Sequence, residues 1–88
     1  MSIDSTSIIL KAKILHRLAR ARKWQHSHTA IENLEKGFPG HLRGTTKDLI
    51  KELIKEGLLL VKQTSYGTQV SLNFAKKEEV ERYMSRLG

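Results

Sequence analysis

The sequence predicts one α+β domain in which three helices are followed by a β-hairpin and a fourth helix. Three observations lead there. A chain of 88 residues suffices for a single core, since single-core domains run from about 50 to 200 residues. Apolar residues recur at helical spacing in four separate stretches. Two β-prone segments, Leu58–Gln63 and Thr68–Phe74, flank the turn-forming run Thr64-Ser65-Tyr66-Gly67.

Residues 1–6 are small and polar and are expected to be disordered, leaving 1–88 as one domain. Ser7 to Arg22 reads as the first helix, with Ile8, Ala12, Leu15, Leu18 and Ala19 on one face. Lys13, His16, Arg17 and Arg20 cluster on the other, at 100° per residue. Lys23 to His26 is an extended link in which Trp24 seals the core beneath the hairpin. Thr29 with Glu32 three places on is a capping-box pattern, so a helix of two turns is expected from Thr29, with Ile31 and Leu34 inward and Gly37 as its stop. Three glycines and the only proline fall between Gly37 and Gly44, which predicts a loop anchored by Phe38 and Leu42. Thr45 with Asp48 repeats the capping pattern and opens a third helix that runs to Gly57. Its wheel has an apolar sector (Leu49, Ile50, Leu53, Ile54), a lysine stripe (Lys47, Lys51, Lys55) and an acidic stripe (Asp48, Glu52, Glu56). In the hairpin, Leu58, Leu60, Val70, Leu72 and Phe74 are the expected inward residues, joined by a four-residue tip. Val80, Tyr83, Met84 and Leu87 form a single stripe on a C-terminal helix over 76–87.

Composition excludes several classes. Hydrophobic residues at 39% and charged residues at 28% match a folded domain rather than a disordered chain. With no cysteine there is neither a disulfide framework nor a cysteine-based zinc site. The longest apolar run, Leu58 to Val61, is far below the ~18 residues of a membrane span, and no signal segment opens the chain, so the cytoplasm is expected. The formal net charge is +7, of which +5 falls before Trp24. Such a balance points to a polyanionic partner and in particular to the first helix. Neither a nucleophile-elbow nor a phosphate-loop pattern occurs, so no enzyme activity is expected. His26 and His28, with His41 in the glycine loop, lack a cysteine to complete a metal set, and no metal or cofactor is expected.

From Gly44-Thr45-Thr46-Lys47 through Leu49-Ile50-x-x-Leu53-Ile54 to Lys55-Glu56-Gly57-Leu58-Leu59, and on to Val70-Ser71-Leu72-Asn73, the chain resembles the recognition helix and wing of winged helix-turn-helix regulators. The likeness is to the small multiple-antibiotic-resistance and arsenic-repressor types and covers residues 8–74. It implies a three-helix bundle, a hairpin wing and a variable C-terminal helix. It also implies double-stranded DNA as partner, with the third helix in the major groove. The DNA-binding residues expected on that basis are Arg43, Thr45, Thr46, Lys47 and Lys51, with Lys62 and Tyr66 from the hairpin. The helix start near Thr45 would offer free amides to a phosphate. About six neutralised phosphates would give a log–log salt slope of roughly −5.

The turn between the second and third helices is longer than the ~4 residues of a plain helix-turn-helix. Lys13, Arg17 and Arg20 form a secondary basic face, and the alternative reading is a winged-helix module that binds protein or RNA through it. The stripe of Val80, Tyr83, Met84 and Leu87 suits a homodimer, as terminal helices do in such families.

Overall fold

The computed structural model describes residues 5–87 and builds its core around one long helix. Helix α1 spans Ser5–Arg20 and buries Leu10, Ala12, Ile14, Leu15 and Leu18. Ser5 and Thr6 are helical, so the expected disorder of residues 1–6 does not reach them; residues 1–4 lie outside the described residues. The helix stops two residues before the expected Arg22 because Arg22 turns left-handed, at φ 56°. The amides of Arg22 and Lys23 then close back on the carbonyls of Ala19 (3.0 Å) and Leu18 (2.9 Å), a Schellman motif that satisfies two orphan carbonyls.

Thr29 does not cap a helix. Thr29–Ala30 is a two-residue strand, β1, paired antiparallel with Val70 and Gln69, and α2 begins only at Ile31 (Ile31–Lys36) with no side-chain cap. Strand pairing takes this backbone because the edge it covers would otherwise leave amides and carbonyls unpaired. The expected structureless loop from Gly37 to Gly44 is also shorter. Gly40–Leu42 winds a 3-10 turn that runs straight into α3, Arg43–Lys55. Helix α3 thus starts two residues ahead of Thr45, which lies inside its first turn and caps nothing.

Helix α3 ends as α1 does. Gly57, at φ 81°, and Leu58 donate to Ile54 (3.0 Å) and Leu53 (3.0 Å), so Leu58 folds onto Leu53 and the strand alternation starts one residue later. That shift puts Leu59 rather than Leu60 in the core. Strands β2 (Leu59–Thr64) and β3 (Gly67–Leu72) pair in full, from Leu59 opposite Leu72 to Thr64 opposite Gly67. The hairpin loop is therefore two residues, Ser65 and Tyr66, instead of four. The three strands lie in the order β1-β3-β2.

The far end of β3 is clamped by the link from α1. Gln25 donates its amide to the Leu72 carbonyl (2.9 Å), and its own carbonyl accepts from the buried Ser71 hydroxyl (2.7 Å). Trp24 bridges to Leu72, packs against the core, and meets Phe74 edge-on at 5.9 Å. Phe74 itself is exposed rather than inward, with the Lys77 ammonium 5.5 Å from its ring centre.

Residues 76–87 are not one helix. A 3-10 turn, Phe74–Lys76, precedes α4, Lys77–Met84, and a second, Ser85–Leu87, follows. Helix α4 lies along α1 with Val80 fully buried and Tyr83 and Met84 packed on the core. Of the stripe expected to pair two copies, Val80 is thus used inside the chain, Tyr83 and Met84 are half-buried, and Leu87 stands at the surface. The described residues form an α+β fold of four α-helices and a three-stranded antiparallel sheet. Among the described residues no helix is long and apolar enough to cross a membrane.

Candidate nucleic-acid interface

Helix α3 buries one side and exposes the other. Leu49, Ile50 and Leu53 pack inward. Lys47, Lys51 and Lys55 are exposed and stand along one ridge, about 6 Å apart for each four-residue step. Arg43 is exposed at the first helical position, and Thr45 is exposed in the first turn. Thr46 is not available: it is fully buried, and its hydroxyl finds no hydrogen-bond partner. The reason is angular, since Thr46 falls in the same buried sector as Leu49, Ile50 and Leu53.

The acidic stripe of α3 has a partner that its own helical wheel does not reveal. Lys11 of α1 reaches Glu52 and Glu56, each at 3.2 Å, with only 12% of its side chain exposed. Burial alone would lower the Lys11 pKa, but hydrogen bonds to Glu52 and Glu56 and the Glu56 charge hold it above the ordinary lysine value. Tyr83 of α4 donates its hydroxyl to Glu56 at 3.0 Å, and burial together with that bond pushes the phenol up. Glu52 and Glu56 pair toward α1 while staying exposed, and beside them α3 presents Arg43, Lys47, Lys51 and Lys55 together with Asp48.

The hairpin supplies Tyr66 at its tip, 93% exposed. The Thr64 hydroxyl holds the turn, donating to the Gly67 carbonyl (2.9 Å) and accepting from the Tyr66 amide (3.1 Å). Lys62 is exposed on β2 opposite Gln69.

The secondary face is also open. Lys13, Arg17 and Arg20 are exposed and make no ion pair among the described residues. Lys11 lies on the other side of α1, beneath α3, so the basic residues of this helix divide between two surfaces. Lys13, His16, Arg17 and Arg20 line an open groove of about 650 Å³ whose opposite wall is Gly37, Phe38 and Pro39. Sequence reasoning finds the basic residues but not this wall, because nothing in the local pattern shows that the glycine loop folds back on α1. His26 and His41 are exposed, and among the described residues no group of three or more His, Cys, Asp or Glu could hold a metal ion.

No family model matches the chain, and neither curated proteins nor solved structures give a match.

Proposed function

We propose that the chain is a winged-helix protein that binds double-stranded DNA and acts as a cytoplasmic transcription regulator, without catalytic activity. Helix α3 enters the major groove and the β2–β3 hairpin serves as the wing. The element order α1-β1-α2-α3-β2-β3, with β3 central in the sheet, supports the winged-helix reading. One observation carries the functional one. Arg43, Lys47, Lys51 and Lys55 stand exposed along α3, on the flank that a groove about 12 Å wide would receive, and Lys11 offsets part of the charge of Glu52 and Glu56. Arg43, Lys47 and Lys51 then contact phosphates or base edges, Thr45 approaches the backbone, and Lys62 and Tyr66 reach the adjoining strand.

The test is a triple variant, Arg43→Ala with Lys47→Ala and Lys51→Ala, titrated against duplex DNA at several salt concentrations. Each phosphate that the variant no longer neutralises should flatten the log–log salt slope by about 0.9, so the expected change approaches 3 units if all three side chains meet phosphates. An unchanged slope would remove α3 from the interface.

A further inference from the structure

The groove between α1 and the Gly37–Pro39 segment combines features that α3 lacks. It is concave, lined by Lys13, His16, Arg17, Arg20 and Phe38, and has no acidic residue in its lining. Along the α1 axis Lys13, Arg17 and Arg20 follow one another at about 6 and 4.5 Å. Arg17 reaches across the groove floor toward Gly37. Its guanidinium lies so close over Gly37 that a Cβ there would coincide with it, whereas Gly37 itself has an ordinary helical φ of −74°. A smaller depression continues from Arg17 past Lys23, Thr29 and Asn33.

We propose that this groove is a binding site for single-stranded nucleic acid, separate from the surface assigned to duplex DNA. Three cations in succession match the phosphates of one strand, and the half-buried Phe38 beside them offers apolar surface for a base to contact. Concavity favours a lone strand over a duplex, whose rod-like exterior would meet only the groove rim. The regular march of charge beside an aromatic ring favours nucleotides over an acidic peptide. The groove also ends near the proposed duplex surface: one 3-10 turn, about 6 Å of rise, separates Pro39 from Arg43. A duplex carrying a single-stranded tail can therefore fill both. That combined mode rests on the role proposed for α3, whereas strand binding in the groove does not.

The experiment measures anisotropy of a fluorescein-labelled oligothymidylate, a blunt duplex and a labelled polyglutamate across a salt series. It uses the native chain, the variant Lys13→Ala/Arg17→Ala/Arg20→Ala, the single variant Gly37→Ala, and the α3 triple variant. Removing three cations from the phosphates of a single strand should flatten the oligothymidylate slope by about 2 units. Gly37→Ala, which displaces the Arg17 head without removing a charge, should weaken the same binding several-fold with an unchanged melting temperature. The α3 triple variant should lose duplex binding and keep the single strand. An unchanged single-strand affinity and slope in the α1 variant would overturn the proposal. So would tighter binding of polyglutamate than of oligothymidylate. Failure of the α3 variant to affect duplex binding would instead count against the duplex surface alone.

Discussion

Arg22 and Gly57 occupy the same position in two copies of one motif. Each is the left-handed residue that follows a long helix, and each is flanked by the same pair of backward hydrogen bonds. Glycine accepts that conformation without cost, whereas a side-chain-bearing residue pays for its Cβ, on the order of 1–2 kcal/mol. Part of this is offset because glycine is freer in the unfolded chain. Arg22→Gly is therefore expected to stabilise the fold by about 0.5–1 kcal/mol and to raise the melting temperature by about 3–6 °C. A thermal melt by circular dichroism decides it, and a lowered melting temperature would mean that the Arg22 side chain contributes more than its backbone costs. The nearby Gln25, at φ 52°, has visible compensation in its bonds to Leu72, Ser71 and Phe74.

The hairpin depends on a backbone state of the same kind. Gly67 sits at φ 112°, outside the left-handed well that other residues tolerate, and nothing lies within 4 Å of where its Cβ would be. Gly67→Ala should thus cost about 1–3 kcal/mol through backbone strain alone, read as a lower midpoint in urea with an unchanged m-value. An unaffected midpoint would show that the turn relaxes into another geometry. Elements with a strong local period were legible in the sequence: the apolar face of α3, the Glu56-Gly57-Leu58 stop, the two hairpin strands, and of α1 the buried Ala12, Leu15 and Leu18, though not Leu10 and Ile14, which widen its buried face. What was missed is non-local. Thr29 and Glu32 spell a cap, yet the open edge of β3 recruits Thr29 as a strand. Thr45 and Asp48 spell another, yet the 3-10 turn at Gly40 carries the helix start upstream and turns Thr46 inward. Of the candidate site, the exposed lysines of α3 could be read from the wheel, while the role of Lys11 could not, because its partners lie more than forty positions away.

Across the whole molecule, Lys11, Glu56 and Tyr83 tie α1, α3 and α4 together at one point. Both protonated groups have pKa values raised by folding, from ordinary values of 10.5 for Lys11 and 10.0 for Tyr83. A raised pKa means that the folded chain holds the proton more tightly. The stabilisation is complete below those ordinary values and is lost as pH climbs through the folded ones. Melting temperature should consequently fall above about pH 10. In Lys11→Met the part due to the ammonium disappears, so the decline should be shallower. At neutral pH that variant should lose only about 1 kcal/mol, because Glu52 and Glu56 remain accessible to water. An equally steep alkaline decline in the variant would sever Lys11 from it.

The order of the sheet has one more consequence. Among the described residues strand β2 pairs only with β3, so its outward amides and carbonyls form a free border carrying the exposed Val61 and, next to it, Lys62. Such borders invite a second chain to add on and begin a fibril, and a lysine there is a common deterrent. Lys62 is therefore placed to deter self-association along that border.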